Sequence, residues 1–369
     1  MWVLTRYADV VAVLRDQRFL SGLIPVQIER QASRLDVGDY AAFLSLAHQS
    51  IVFTDNPHHD RLRRLVGTAF SSRRLETFDP IIEEVVDGLV TRAMKCRELD
   101  AIVDFAEQIP LGVMSRKLGI DPSMSQTIGR WTQEIRFLLE PGLLKKSDFA
   151  QVQDTMAQYT QFLRDSIAER RRRPGDDLIS ELLAVSSGDD RLTEMEIAHA
   201  CMMVFVAGNE TTKGLIGNGL AALIDHPDQL ARLRRQPERI GKAVTEMLRW
   251  DSPLQHTKRL ASESVSIGGR TINTGDIVLL CLGAANRDPA QFPDPDRFDV
   301  DRNTAGQLGF GFGMHACLGG RVAEREAAAA FRALLASARG IEAGLAPRAL
   351  QESELIVRGY AHLPVVLTP

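Results

Sequence analysis

Cys317 is the residue of this chain best placed to do chemistry. It lies in Phe310–Gly320, FGFGMHACLGG, after glycines at 309, 311 and 313 and just before Gly319 and Gly320. The next run, RVAEREAAAAFRALLAS, is rich in Ala, Glu, Arg and Leu and predicts a long helix. A cysteine on a tight loop at a helix N-terminus meets unpaired amides and the positive end of the dipole, which favour thiolate over thiol. A thiolate held this way is a nucleophile or a metal ligand. For a lone cysteine the ordinary alternative is a small buried residue in a turn before a helix. A dinucleotide loop is excluded, although Gly311-x-Gly313-x-x-Ala316 fits its loose pattern. The preceding DPDRFDVDRNTAGQLG is no strand, and too little chain follows for a βαβ unit.

Three other groups carry chemistry. Asn209-Glu210-Thr211-Thr212-Lys213 interrupts the apolar run CMMVFVAG. A carboxylate and two hydroxyls there cost stability unless they are paired or functional, or the helix emerges briefly into solvent. Thr211 can bond back to the Ala207 carbonyl, and with Gly208 beside it the helix can open locally. His59 and Arg63 are four apart and share a helix face; spacing alone favours an ordinary solvated basic face. Glu246 and Arg249 form an (i, i+3) pair of a kind common on helix surfaces.

The elements that must hold these groups read mostly as helix. Thr193-Glu194-Met195-Glu196 is a capping box that starts a helix running to Asp225, about 50 Å long. WVLT reads as a strand and RYADVVAVLRD as a helix capped by Thr5. Ser21 to Asn56 reads as irregular, with Pro25, Gly38 and a weakly helical patch at DYAAFLSLA, and Asp55-Asn56-Pro57 opens the helix of His59. From Leu75 to Ser187 the pattern is helical, with breaks expected at Pro110, Asp121-Pro122, Pro141-Gly142 and Pro174-Gly175. The run Arg170 to Arg173 reads as a solvated helix end, where cations complement the dipole. SVSIGGRTI reads as a hairpin folded at Gly268-Gly269, and DIVLLCLGA as a strand. ELIVRGYAHLPVVL reads as a strand, a turn at Arg358-Gly359 and a returning strand.

Composition narrows the function. The 369 residues carry a net charge of −4, which gives no reason to expect a nucleic-acid partner. Four cysteines lie far apart with no CxxC pair, which argues against a disulfide framework or a zinc site and fits a reducing cytosol. No signal peptide opens the chain, and no apolar run approaches the ~20 residues of a spanning helix. A soluble cytoplasmic protein is expected, with no internal repeat and no domain boundary.

The run Phe310-x-x-Gly313-x-His315-x-Cys317-x-Gly319 resembles the haem-binding signature of the cytochrome P450 family. AGNETT resembles that family's oxygen-binding motif, DNPHHDRLRR its propionate-gripping helix, and Glu246-x-x-Arg249 its Glu-x-x-Arg helix. Nearly the whole chain is covered. The resemblance implies a mainly α fold with a smaller β part: one triangular helical domain, 1–369, with haem b between the long helix and the Cys317 loop. Family members usually carry a further helix and strand before the point where this chain begins.

The resemblance also implies roles. Cys317 is the iron ligand, while Phe310 packs on the macrocycle, Gly311 lies in the loop, and Gly319 lets a helix pass close. His59, Arg63, Arg259 and His315 bind propionates, with Ala207 and Gly208 against the haem. Glu210 and Thr211 relay protons to oxygen. Met203, Val206, Leu254, Gln255, Ile356 and Val357 line the substrate pocket, roofed by Ser21–Asn56. Arg297 completes a network with Glu246 and Arg249. Arg61, Arg64, Arg73 and Arg74 are left for the outer surface, where with Arg321 they are expected to form a basic face for an acidic ferredoxin. The implied reaction inserts one oxygen atom from O2 into an organic substrate, as in members that tailor polyketides, peptides or terpenoids. Electrons are expected from a separate ferredoxin and its reductase. The alternatives are a haem-thiolate enzyme that uses peroxide or couples radicals, and a non-enzymatic haem sensor or electron carrier.

Overall fold

The computed structural model describes residues 1–96, 98–187, 190–351 and 356–369. Its axis is the helix Glu194–Asp225, which begins as its sequence dictates. Thr193 Oγ1 accepts from the Glu196 amide at 3.2 Å, and Glu196 Oε2 accepts from the Thr193 amide at 2.7 Å. This helix is apolar on nearly all sides and is therefore sheathed by others. Helices Gln108–Lys117, Lys146–Arg172, Ile240–Trp250 and Gly320–Ser337 pack along it and share one large core. No helix among the described residues is long and apolar enough to cross a membrane.

The β part forms a flank with its own core of Val10, Val13, Phe19, Val278, Leu280 and Leu308. Trp2–Leu4 runs parallel to Ile277–Cys281, which runs antiparallel to His256–Ala261, which in turn pairs with Phe19–Leu20. Lys258 lies opposite Leu279 in that register. Val265–Ile267 and Arg270–Ile272 form the expected hairpin, turning at Gly268 and Gly269 with φ of 57° and 77°.

Several sequence expectations change. Ser21–Asn56 is not irregular, because it folds into helices Leu23–Leu35 and Ala41–Gln49. Pro25 is the third residue of the first, where an amide has no helical partner to lose, and Ile24, Ile28 and Ala32 bury one face at four-residue spacing. Pro110 likewise sits third in Gln108–Lys117 and breaks nothing; the irregularity lies before it, in the wide turn Ala101–Ala106. Thr5 does not cap the first helix. That helix starts at Tyr7, whose amide donates to Asp288 Oδ2 at 2.8 Å. The Arg170–Arg173 run is only partly solvated, since Arg170 pairs with Asp177 and Arg171 with Glu194.

At the C-terminus, 352–355 lie outside the described residues, so the first strand expected there is represented by Ile356 and Val357 alone. Val357 bridges Leu254, and Ile356 O accepts from the Gln255 amide at 2.9 Å. Tyr360–His362 pairs with Ala349–Leu350, and Pro364–Thr368 pairs with Gly340–Ala343 and Glu98–Asp100.

Candidate active site

The Cys317 loop is fixed by backbone geometry. Gly311 and Gly313 have φ of 67° and 75°, and a Cβ on Gly313 would stand 2.5 Å from the Leu14 carbonyl oxygen. Only glycine fits there. The Cys317 amide donates to the Phe310 carbonyl at 2.8 Å, which closes the loop. Upstream, Asn286 accepts from the Leu308 amide at 2.7 Å and donates to Ser252 Oγ at 2.8 Å. The Phe310 ring lies against Gly320, where a Cβ would come within 3.2 Å of it. Gly319, by contrast, opens onto free space, which leaves room for a flat group close beside the helix there.

Cys317 opens onto a cavity of about 420 Å³, although protein surrounds it on its other sides. Burial pushes its thiol above the usual range; the amides of Gly319 and Gly320 and the Arg63 charge oppose that push and are outweighed. The helix terminus alone therefore does not supply a thiolate. A cation bound at the sulfur would.

Across the cavity wall runs the long helix. His199, Met203, Ala207 and Thr211 follow one another at four-residue intervals, and all four line the cavity. Ala207, in the middle of an otherwise buried helix, is exposed to it. Thr211 Oγ1 donates to the Ala207 carbonyl at 2.7 Å, as expected, but the helix continues past Gly208 without opening. Because that carbonyl only accepts, the Thr211 hydroxyl keeps its lone pairs for whatever occupies the cavity. Glu210 is buried and held from three sides: Lys213 Nζ at 2.6 Å, Gln133 Nε2 at 2.7 Å and Arg136 at 4.0 Å. Gln133 also lines a surface cleft together with Glu107, whose carboxyl burial raises above the usual range. Glu210 thus stands between an outer cleft and the inner cavity.

A third wall is cationic. Arg63 donates to the Ala316 carbonyl at 2.8 Å, and Arg259 donates to Thr257 Oγ1 and the Lys258 carbonyl. Neither makes an ion pair among the described residues. The rings of His59 and His315 lie with centroids 4.2 Å apart and tilted by 52°, and Nε2 of each is buried without a hydrogen-bond partner among the described residues, the Asp55 carboxylate standing 4.0 Å from His315 Nε2. Burial lowers Arg259 to about 10 and, helped by the charges of Arg259, His59 and Arg63, lowers His315 to about 3. The nearby Asp55 does not neutralise the set, since its oxygens already accept the Ser21 and Gly22 amides at 2.8 Å. Two arginines and two unsatisfied imidazoles demand an anion. A planar group carrying carboxylates, with a metal for Cys317 and a flat face against Ala207 and Gly319, fits this donor set.

Of the six predicted substrate-pocket residues, Met203, Val206, Leu254, Ile356 and Val357 line the cavity. Gln255 does not. Strand alternation turns it away from Leu254, and its amide donates to the Ser252 carbonyl and packs on Gly283. The buried network also differs from expectation. Arg249 grips Glu246 at 2.7 and 2.9 Å, both residues fully buried, but the third arginine is Arg302, whose Nε is 3.2 Å from Glu246 Oε1. The Arg297 side chain is 62% exposed and pairs with Asp299; only its carbonyl joins in, accepting from Arg302 at 2.8 Å. The turn at Asp294, with φ of 51°, gathers the carbonyls of Pro293, Asp294 and Arg297 around Arg302 instead.

Two lining residues went unforeseen. Glu326 is buried, has Oε1 unpartnered among the described residues, and is raised to about 8 by burial, hence neutral at pH 7. The signal was its place on the apolar stripe Val322, Glu326, Ala330. His199 is the other, on the stripe of the long helix.

Residues 134–337 match the family profile described as Cytochrome P450. The chain is 36% identical over 375 residues to 6-deoxyerythronolide B hydroxylase of Saccharopolyspora erythraea, covering 99% of this chain and 90% of that protein. It is 36% identical over 370 residues to the monooxygenase PikC of Streptomyces venezuelae, covering 99% and 85%. Among solved structures, P450BioI bound to an acyl carrier protein ligated with hexadec-9Z-enoic acid superposes with a TM-score of 0.91, at 33% identity over 99% of this chain and 92% of that one. Such likeness over the full length, joined to a cysteine loop facing a helix that carries Glu210 and Thr211, makes this chain a cytochrome P450 monooxygenase.

Proposed function

We propose that this enzyme inserts one oxygen atom from O2 into an unactivated bond of a largely apolar secondary metabolite, a polyketide, peptide or terpenoid. The names of its relatives support that class, since they include 6-deoxyerythronolide B hydroxylase and a polyketide biosynthesis cytochrome P450. The whole chain, 1–369, acts as one domain, works in the cytoplasm, and takes electrons from a separate ferredoxin and its reductase.

Haem b, ligated by Cys317, supplies O2 activation and oxygen transfer. The protein's own residues bind, orient and move protons. His59, Arg63, Arg259 and His315 hold the propionates, Phe310 and Gly311 shape the thiolate side, and Ala207, Gly208 and Gly319 leave room for the ring. The pair Glu210–Thr211 carries the reading. A buried carboxylate linked outward through Gln133 sits beside a hydroxyl whose lone pairs face the cavity. Glu210 passes protons inward, and Thr211 holds a donor at Oγ1 so that each proton arrives in place. The apolar walls of Met203, Val206, Leu254 and Val357 exclude water and orient the substrate.

Positioned proton transfer contributes on the order of 10²–10⁴ in rate. Thr211→Ala should keep haem, the thiolate spectrum and substrate binding, yet divert much of the reductant to hydrogen peroxide. Glu210→Gln should slow O2 consumption itself, and Thr212→Ala, buried on another face, should do less. The measurement is product formed per reductant consumed. Full coupling in Thr211→Ala together with unchanged O2 uptake in Glu210→Gln would favour a peroxide-using or sensing protein.

A further inference from the structure

His199 is a costly residue with no visible use. It is 2% exposed, and neither ring nitrogen has a hydrogen-bond partner among the described residues, with Nδ1 fully buried. Burial alone pulls it down to about 4, so the ring is neutral at pH 7. An unpaired buried polar group costs about 1–3 kcal/mol. The neighbouring acid on the same wall does not serve it, since Glu196 is engaged by Arg61 at 2.5 Å and by the Thr193 amide. Yet His199 lines the active-site cavity on the same stripe as Met203, Ala207 and Thr211.

A second unsatisfied atom belongs to a residue that lines the same cavity from a neighbouring helix. Gln49 lines the cavity with Oε1 buried and unpartnered among the described residues, while its Nε2 makes only a long 3.5 Å bond to Ser45. Its helix, Ala41–Gln49, packs on the long helix. The rest of the lining is dominated by aliphatic and aromatic side chains.

We propose that His199 and Gln49 form a polar subsite that takes a neutral hydroxyl or carbonyl of the substrate, remote from the bond that is oxidised. Twelve residues of helix separate His199 from Thr211, about 18 Å along the axis. A neutral imidazole offers one donor and one acceptor, which suits a hydroxyl or a carbonyl in an apolar wall. A site built to bond such a group rejects an analogue lacking it, because its own polar atoms stay unpaired. The substrate is then an elongated apolar molecule with a neutral polar end. This inference rests on the monooxygenase reading above.

The test uses the haem-loaded enzyme and 1-alkanols from octanol to hexadecanol, each against the 1-fluoroalkane of equal length. Binding is read from the haem spin state. One chain length should bind about tenfold more tightly as alcohol than as fluoride. His199→Phe should abolish that preference without lowering the thermal midpoint of the substrate-free protein, and His199→Gln should keep part of it. Gln49→Leu, away from the long helix, is an independent variant that should reduce it. No alcohol preference in the native enzyme, or a preference that survives both His199→Phe and Gln49→Leu, overturns the subsite. The ferrous–CO spectrum recorded on the same samples separates the two claims: a normal thiolate band with no alcohol preference contradicts the subsite alone.

Discussion

Thr211 and His199 stand on one stripe of one helix, yet only the first was legible in the sequence. Thr211 belongs to a short string, Gly208-Asn209-Glu210-Thr211-Thr212, whose polar residues break an apolar run at a recognisable spacing. Cys317 and the His59–Arg63 pair were legible for the same reason, because each brings its own neighbours. His199 and Glu326 are single polar residues within helical sequence, and only the fold reveals what surrounds them. Gln255 and Arg297 failed in the opposite way: the motif named the right segment, but alternation and one turn decided which side chain faces inward. The burial of His199 has a measurable consequence. Its unfolded form titrates near 6.5 and its folded form near 4, so between those values the unfolded chain binds the extra proton. Stability is unaffected by this group above pH 6.5, falls as pH drops through the window, and has lost on the order of 3 kcal/mol below pH 4. Chemical denaturation of the native protein and His199→Gln from pH 7 to 4 should show the variant losing less. Parallel curves would mean that His199 is solvated.

The helix Ile240–Trp250 and the segment around Arg302 are joined through one carboxylate. Glu246 accepts from Arg249, Arg302 and the Asp299 amide, and Leu248 beside it packs on Gly309 of the Cys317 loop. Removing one partner of such a buried pair leaves a charge without compensation, at about 3–5 kcal/mol. A domain of ordinary stability has roughly 5–15 kcal/mol in all. Glu246→Ala and Arg249→Ala should therefore express with little haem. Arg302→Ala should be intermediate and Arg297→Ala close to native, because the Arg297 side chain is mostly in solvent. Haem content per protein and the denaturation midpoint decide this. A larger loss in Arg297→Ala than in Arg302→Ala would reverse the assignment. Long elements were legible from capping and periodicity, as the Thr193 box and the Gly268-Gly269 hairpin illustrate. Prolines misled at Pro25 and Pro110, since the sequence gives no sign that each stands in a first turn. The start of the first helix depends on Asp288, far along the chain, and no local pattern could supply it.

For the molecule as a whole, the fold class followed from motif order, while the surface did not. Five arginines, 61, 64, 73, 74 and 321, were expected to form a basic face for an acidic ferredoxin. Arg61 instead turns to Asp190 and Glu196, Arg64 to Asp190, and Arg74 to Glu181. Arg73 and Arg321 remain exposed and without an ion pair among the described residues. They lie on neighbouring elements: Arg325, in the helix of Arg321, donates to the Leu75 carbonyl. Exposed charges act only within about 8–10 Å near physiological salt. The first electron transfer from an acidic ferredoxin should slow as salt rises, with Arg73→Ala and Arg321→Ala flattening that dependence and Arg61→Ala leaving it unchanged. A slope indifferent to Arg73 and Arg321 would locate docking elsewhere.

All of this depends on one sulfur. Cys201 is buried and pushed up to about 12, Cys281 is half-buried and raised, and Cys96 lies on the surface; Cys317 alone shares the cavity with Glu210 and Thr211. The ferrous–CO spectrum of the native protein and of four single Cys→Ser variants tests this most directly. The red-shifted Soret band of thiolate ligation should appear in the native protein and in the variants at Cys96, Cys201 and Cys281, and be lost in Cys317→Ser. A Cys317→Ser protein that keeps the band would contradict the account.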